Sequence, residues 1–166
     1  MRNFLRRFFG IDIIRRPKCL PPTVGKNAHI HPSVHFSGYI QNIRIGENVR
    51  IKQNVIIRCE DENSSVEIGD GTVLMPFSVI LSNTAGHFKI GHSCSVNSFC
   101  TLYGGRGRTE IGNFVRIATH SVIVPTNHNF DSRDIPVTHQ GHSSEGIRIE
   151  DDVWIGAGVK VLDGCR

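Results

Sequence analysis

Histidine is the residue type in this 166-residue chain best suited to acid–base or metal chemistry, and the chain contains nine of them. Two, His128 and His142, lie in a polar segment that also contains Asp134 and Gln140. Imidazole accepts a proton near neutral pH and is a common metal ligand, so both kinds of site are considered. Most loop histidines serve neither purpose, so a role for His128 depends on the motif around it.

The five cysteines indicate packing rather than a disulfide framework. Five is an odd number and no two cysteines have CxxC spacing, so we expect reduced thiols and a cytoplasmic protein. Cys94, Cys100 and Cys165 fall at a small-residue position of the repeat described below. A buried thiol acts as a small hydrophobe, so we expect packing to account for all three.

The elements that must position these side chains are β-strands. The chain has 20 Ile and 15 Val against 6 Leu and 4 Ala, and it also has 17 Gly and 7 Pro. β-branched side chains favour strands, so this composition excludes a helix bundle and a βαβ fold. No apolar run approaches the ~20 residues of a membrane span. Arg6, Arg7 and Asp12 interrupt the apolar stretch near the start, so no signal peptide is predicted.

Aliphatic residues recur every six positions in six triplets, and 17 of the 18 positions are Ile, Val or Leu. The triplets are Val24/Ile30/Phe36, Ile45/Ile51/Ile57, Ile68/Leu74/Ile80, Ile90/Val96/Leu102, Ile111/Ile117/Ile123 and Ile149/Ile155/Val161. A small or β-branched residue follows many of these aliphatics four positions later, as at Thr72 and Ser121. Two inward side chains on each short strand, and three strands in each 18-residue coil, predict a triangular parallel β-solenoid.

Successive triplets begin 21, 23, 22, 21 and 38 residues apart, so one connection is much longer than the others. We therefore predict a β-helix of about six coils over 24–166, with a long excursion loop at 125–146 and an N-terminal arm at 1–20. A long structureless excursion in a compact solenoid is more often functional than accidental.

Several motifs occur in order along the C-terminal half, and they narrow the interpretation. They are Pro125-Thr-Asn-His128-Asn-Phe130, Asp134-Ile-Pro136, Gln140-Gly-His142 and Trp154-Ile-Gly-Ala157-Gly158. Together with the repeat, they resemble the hexapeptide-repeat, left-handed β-helix acyltransferases. The resemblance is to the branch of maltose and galactoside O-acetyltransferases and of O-antigen and capsule acetyltransferases. It implies an all-β, left-handed parallel β-helix, and the handedness rests on the resemblance alone, since parallel crossovers are ordinarily right-handed.

The resemblance also implies an activity and a set of roles. The activity is acetyl transfer from acetyl-CoA to a hydroxyl of a sugar or polysaccharide precursor, with no metal, in a homotrimer whose active sites lie between neighbouring prisms. His128 matches the general base, which removes the hydroxyl proton as the thioester carbonyl is attacked. The remaining matched positions are Asn97, His142 and Trp154 for the acceptor, and Trp154, Gly156, Ala157 and Gly158 for acetyl-CoA. Trp154 is expected to point outward from the prism, beside the catalytic loop.

Two features depart from the family pattern. Gly104-Gly105 stands where the sugar acetyltransferases have an acidic acceptor-binding residue, so a polysaccharide or lipid-linked precursor is favoured over maltose or galactosides. The repeat also stops at Asp163-Gly-Cys-Arg166, where the family continues through a further coil. The C-terminus therefore has the pattern of a truncated solenoid, with an exposed strand edge.

A metal hydratase is an alternative on the same fold. The γ-class carbonic anhydrases bind zinc through three histidines from adjacent subunits, and His87, His92 and His120 invite the comparison. In that family a second histidine follows the Gly-His pair after five residues, but here Asn97 occupies that position. The second ligand is therefore missing, and this alternative ranks below acyl transfer.

The basic character of the chain is concentrated in its first 18 residues, which carry a net charge of +5, whereas the remaining 148 carry −1. Apolar pairs at 4/5 and 8/9 are about one helical turn apart, which predicts a short amphipathic helix. Such an arm suits peripheral contact of residues 1–18 with an anionic membrane surface, at the inner face of the membrane where lipid-linked sugars are assembled. No basic stripe extends onto the domain, so nucleic acid is not an expected partner.

The sequence thus predicts a CoA-dependent O-acetyltransferase. The alternative from another class is a catalytically degenerate or structural β-solenoid module, which the short C-terminus favours. Consumption of acetyl-CoA in the presence of saccharides distinguishes the two.

Overall fold

The computed structural model describes residues 20–83 and 85–166. The predicted N-terminal helix and its membrane contact fall on residues 1–18, outside the described residues. Within the described part of the chain, no helix has the length and apolarity needed to cross a bilayer.

The described chain is a triangular β-solenoid with three parallel six-stranded sheets, as the repeat predicts. Sheet 1 consists of β1 (Thr23–Val24), β4 (Ile43–Ile45), β7 (Ser65–Ile68), β10 (His87–Ile90), β13 (Thr109–Ile111) and β18 (Ile147–Ile149). Sheet 2 consists of β2 (His29–Ile30), β5 (Arg50–Ile51), β8 (Val73–Leu74), β11 (Ser95–Val96), β14 (Arg116–Ile117) and β19 (Trp154–Ile155). Sheet 3 consists of β3 (His35–Gly38), β6 (Ile56–Cys59), β9 (Val79–Ser82), β12 (Thr101–Gly104), β15 (Val122–Val124) and β20 (Lys160–Leu162).

The remaining elements are one small hairpin and two short 3-10 turns. Strands β16 (Asn127–His128) and β17 (His142–Ser143) pair antiparallel, apart from the three sheets. The 3-10 turns cover Ile40–Asn42 and Val137–His139.

The six-residue repeat sets the register between coils, so equivalent aliphatics stack on one another. In sheet 3, for example, Leu102 lies opposite Ile80 on one side and Ile123 on the other, and all three are fully buried. The small-residue position is buried as well: at Thr72 and Ser121, for example, no surface is exposed. One coil cannot bury its own apolar face, so the continuous core exists only because the coils stack.

Three edges connect the sheets, and we name them by the sheets they join. The 1–2 edge follows sheet 1 in each coil, the 2–3 edge follows sheet 2, and the 3–1 edge closes the coil. Residues just before the small-residue position have positive φ, as at Asn54 (57°) and Phe99 (61°). Asparagine adopts this left-handed conformation more readily than phenylalanine, so the aromatic positions need further stabilisation.

Candidate active site

Residues 125–146 leave the solenoid at the 3–1 edge, between β15 and β18, and form the excursion. Its two limbs pair through β16 and β17, which places His128 directly opposite His142. The two imidazole centroids are 5.6 Å apart, with an interplanar angle of 71°. Both side chains are exposed, so both face solvent rather than the solenoid core. The structure therefore brings the predicted base and one predicted acceptor residue together.

A single glutamine closes the far end of the excursion. The Gln140 amide accepts a hydrogen bond from the Ser132 backbone N–H (3.0 Å) and donates to the backbone carbonyls of Ser132 (2.9 Å) and Ile135 (2.7 Å). The Asn129 side chain donates to the Gln140 carbonyl at 3.1 Å. These bonds satisfy backbone groups of a loop that has no sheet to pair with, and so they fix its shape.

The two ends of the excursion pack against the turn at 104–107, and glycine makes this approach possible. A Cβ atom on Gly107 would lie 2.3 Å from the Gly146 nitrogen, so a larger residue would displace the backbone of the returning limb. The Ser144 hydroxyl accepts a hydrogen bond from the Gly107 N–H (3.0 Å) and donates to the Pro125 carbonyl. Ser144 therefore ties both limbs of the excursion to the solenoid.

A carboxylate from the next coil holds the returning limb. Asp163 accepts hydrogen bonds from the backbone N–H groups of Glu145 (2.9 Å) and Gly146 (2.8 Å). Charge-assisted bonds of this kind are among the stronger hydrogen bonds in proteins. The hairpin that carries His128 is thus fixed by coils on both sides of it.

A cleft of about 420 Å³ lies beside the hairpin. Its lining is mostly polar and consists of Glu60, Asn83, Gly105, Arg106, Thr126, His142 and Ser144. His142 lines this cleft and lies opposite His128 in the hairpin, so only the His142 side chain separates the cleft from the predicted base.

The other predicted residues collect at the 2–3 edge. Trp154 is on the outer face of sheet 2 and is 79% exposed, as predicted for an outward side chain. Gly156, Ala157 and Gly158 form the turn that follows it. Asn97 occupies the equivalent turn two coils away. Its N–H donates to the Ile117 carbonyl of the next coil, and the Ala118 N–H of that coil donates to the Ile155 carbonyl of the coil that contains Gly156. At ~4.8 Å per coil, Asn97 lies about 10 Å along the edge from Gly156.

Within a single chain, Trp154 does not lie beside the excursion, contrary to the prediction. Trp154 belongs to sheet 2, whereas the excursion leaves sheet 3 and returns to sheet 1. None of the described hydrogen bonds or ring contacts of the excursion involves Trp154. The structure therefore separates two groups of predicted site residues onto different edges of the prism.

An aromatic stack stabilises the strained turns of the 2–3 edge. The rings of Phe77 and Phe99 are 5.2 Å apart and parallel within 1°, and the His120 ring stacks on Phe99 at 5.1 Å and 6°. Each of these three residues has positive φ. Stacked pairs contribute about 0.5–1.5 kcal/mol, which offsets part of the backbone strain.

The histidines considered for a metal site have separate surroundings. His87 bonds to the Ser65 hydroxyl at 2.9 Å, His92 packs edge-on against Phe114, and His120 belongs to the aromatic stack. Within residues 20–83 and 85–166, no three His, Cys, Asp or Glu side chains are grouped as metal ligands.

Burial raises the pKa of the core thiols. The pKa of Cys59 is raised to about 11, and those of Cys94 and Cys100 are raised too, because desolvation disfavours the thiolate. Cys165, however, is exposed. The prediction that packing accounts for Cys165 is therefore not met in the described structure.

Several residues that shape the site have no motif in the sequence. Ser144 and Asp163 act through backbone groups 18–37 residues away in the chain, and Arg106 is placed by the turn that contains it. The Gly104-Gly105 pair and Gly107 did carry a signal, since three glycines in four positions indicate close backbone approach.

Comparison with known proteins points to acetyltransferases. No family model matches the chain. It is 34% identical over 136 residues to the galactoside O-acetyltransferase of Escherichia coli, covering 82% of this chain and 52% of that protein. It is 26% identical over 151 residues to the bifunctional protein GlmU of Thermodesulfovibrio yellowstonii, covering 84% of this chain and 32% of that protein. The chain thus spans between a third and about half of the length of these curated relatives.

Among solved structures, the chain is similar to the polysialic acid O-acetyltransferase OatWY. The identity is 17% and the TM-score is 0.45, with 88% of this chain and 72% of that chain covered.

Proposed function

The chain is a relative of the hexapeptide-repeat acyltransferases, and on this premise we propose that it transfers acetyl from acetyl-CoA to a sugar hydroxyl. The acceptor is a saccharide or a polysaccharide precursor. The observation that carries the proposal is an exposed imidazole, His128, on a hairpin that is fixed to the solenoid beside a polar cleft. Fixed placement of a base matters because a misplacement of about 1 Å can cost 10²-fold in rate.

The proposed reaction is direct attack without an acyl-enzyme. The acceptor hydroxyl oxygen bonds to the thioester carbonyl carbon while His128 takes the hydroxyl proton. The tetrahedral intermediate then expels the sulfur as the C–S bond breaks, and the proton passes from His128 to the thiolate. The products are the acetylated saccharide and coenzyme A, and His128 returns to its starting state.

Backbone at the 2–3 edge is proposed to stabilise the oxyanion. The Ala157 N–H has no hydrogen-bond acceptor among the described residues, and Ala157 is exposed. Backbone donors aimed at the developing charge are an effective form of transition-state stabilisation. Trp154, Gly156 and Gly158 would line the acetyl-CoA side, while Asn97 and His142 would contact the acceptor.

We propose that two chains form each site, in a homotrimer. The support is geometric, because His128 lies at the 3–1 edge and Ala157 lies at the 2–3 edge of the same prism. In a ring of three prisms, one edge of each chain faces a different edge of the next. Such a ring can place the His128 of one chain opposite the Ala157 of its neighbour, three times over.

The test is acetyl transfer by the purified chain with a panel of saccharides. We expect coenzyme A release that depends on the saccharide, together with an acetyl ester identified on the product by mass spectrometry. A chain that neither consumes acetyl-CoA with any saccharide nor binds acetyl-CoA in a titration would instead be a non-catalytic solenoid.

A further inference from the structure

We propose that the cleft beside His142 is the acceptor site and that Arg106 selects acceptors that carry an anionic group. The group would be a carboxylate or a phosphate on the saccharide. This inference rests on the proposed function, because it assigns the substrate class to the same site. The charges and hydrogen bonds of the cleft support it.

Among the described residues, Arg106 has no carboxylate as a counterion. It lies in the turn at 104–107, its side chain is exposed, and no carboxylate of the described residues lies within ion-pair distance. Two arginines of the solenoid do have such partners, because Arg58 pairs with Glu60 (3.5 Å) and Arg148 pairs with Glu150 (2.8 Å). Guanidinium binds carboxylate and phosphate through two parallel hydrogen bonds, so Arg106 suits either anion.

The one acidic residue of the cleft does not cancel this charge. Glu60 lines the cleft, but Arg58 lies 3.5 Å from its carboxylate. Arg58 lies outside the cleft lining and offsets part of the Glu60 charge, whereas no carboxylate of the described residues lies within ion-pair distance of Arg106. The Arg106 guanidinium is therefore available in the cleft to an anionic group of a ligand.

Two further side chains have hydrogen-bonding capacity to spare. Asn83 and Thr126 line the cleft, and their side chains form no hydrogen bond within the described part of the chain. In contrast, the Ser144 hydroxyl is already occupied by Pro125 and Gly107. An amide and a hydroxyl next to a guanidinium are the groups expected of a site for a hydroxylated, charged ligand.

The position of the cleft connects it to the chemistry. His142 forms part of its wall, and the His128 ring is 5.6 Å from the His142 ring. A saccharide held by Arg106 at one end can therefore extend toward the base with a neighbouring hydroxyl. The volume of about 420 Å³ is within the range of small-ligand sites.

The experiment measures binding and transfer with three acceptors. They are a trisaccharide containing glucuronic acid, its glucose counterpart without the carboxylate, and UDP-glucose, which carries its negative charge on phosphate. Each is titrated against the wild-type chain, Arg106→Gln and Arg106→Lys by isothermal calorimetry, and each is also assayed for acetylation. Arg133→Gln is the matched control, because Arg133 is an exposed arginine of the excursion outside the cleft lining.

We expect the wild type to bind an anionic acceptor more tightly than the neutral one. Arg106→Gln should weaken that binding by about 10- to 100-fold, the usual range for a lost charge-assisted hydrogen bond. Binding of the neutral trisaccharide should stay unchanged, Arg106→Lys should retain part of the affinity, and Arg133→Gln should behave as wild type. Whichever charged acceptor loses affinity in Arg106→Gln shows whether Arg106 recognises a carboxylate or a phosphate.

Equal binding of charged and neutral acceptors, or equal losses in Arg106→Gln and Arg133→Gln, would overturn the inference. The proposed function fails separately, when no acceptor is acetylated although binding depends on Arg106. Conversely, acetylation of the charged acceptors that is insensitive to Arg106 would leave the proposed function standing and refute this inference.

Discussion

His128 and His142 face each other across a two-residue antiparallel pair, with ring centroids 5.6 Å apart. The pairing is made by backbone, so the position of the proposed base is set by the hairpin rather than by a hydrogen bond to its own ring. The hairpin is in turn held at Gly107, Ser144 and Asp163. Changes at these anchors should therefore affect transfer although none of them touches the reacting atoms.

Gly107→Ala should reduce acetyl transfer by about 10²-fold while the solenoid remains folded. The added Cβ would lie 2.3 Å from the Gly146 nitrogen and 2.4 Å from the Glu145 carbonyl carbon, so the returning limb must move. The measurement is kcat/KM for the best acceptor, together with thermal unfolding followed by circular dichroism.

A milder change at the same anchor provides the comparison. Ser144→Ala removes the ties to Pro125 and Gly107, so it should lower kcat/KM to a smaller extent than Gly107→Ala. Ser143→Ala alters a neighbouring exposed serine with no side-chain hydrogen bond in the described chain, and it should behave as wild type. Equal effects of the two serine variants would refute the anchoring role of Ser144.

Mixed trimers should recover activity that neither variant has alone. His128→Ala removes the proposed base, and Ala157→Phe blocks the 2–3 edge with a bulky side chain. If a site takes His128 from one chain and Ala157 from the next, random trimers from an equal mixture have about a quarter of their sites intact. The measurement is acetyl transfer after co-expression of differently tagged chains, and recovery near zero would place each site within one chain.

Core and surface leucines of sheet 3 should differ in their contribution to stability. Leu102→Ala removes a fully buried side chain between Ile80 and Ile123, so it should lower the free energy of unfolding by about 2–5 kcal/mol. Leu162 is 53% exposed, and its change to Ala should cost much less. Urea denaturation measures both, and equal losses would contradict the stacked core.

Thiol labelling should distinguish Cys165 from the core cysteines. The thiolate is the reactive form, and the raised pKa of Cys59, about 11, keeps that thiol protonated at pH 8. Its thiolate fraction grows only as the pH rises toward 11, whereas burial limits access at every pH. We expect iodoacetamide at pH 8 to modify Cys165 before Cys59, Cys94 and Cys100, as read by peptide mass mapping. In denaturant all thiols should react, and native labelling of Cys59 as fast as Cys165 would contradict the burial.

Much of the fold could be predicted from sequence because the repeat is a local rule. Ile45, Ile51 and Ile57 are six residues apart, and that spacing alone assigns them to the three sheets. The same rule assigns small side chains such as Thr72 to buried positions. The excursion is visible because it interrupts the spacing. Cys165 fits the rule but is exposed, so the spacing alone does not guarantee burial.

The candidate site was less predictable, because it depends on contacts between distant positions. Ser144 reaches Gly107 across 37 residues, and no spacing in the sequence reports that contact. Trp154 was expected beside the excursion because the family resemblance places an outward aromatic residue there. Its position before Ile155, the second member of a triplet, already assigns it to sheet 2, so the register was the more reliable guide.

The most direct test of the central claim is the rate of acetyl transfer by His128→Ala. A general base contributes about 10²–10⁴-fold, so kcat of the variant should fall by about 10²-fold or more. Its circular dichroism and unfolding temperature should stay unchanged. His139→Ala is the matched control, because His139 is another exposed histidine of the excursion and should retain full activity. Wild-type rates in His128→Ala, with the fold intact, would contradict the account.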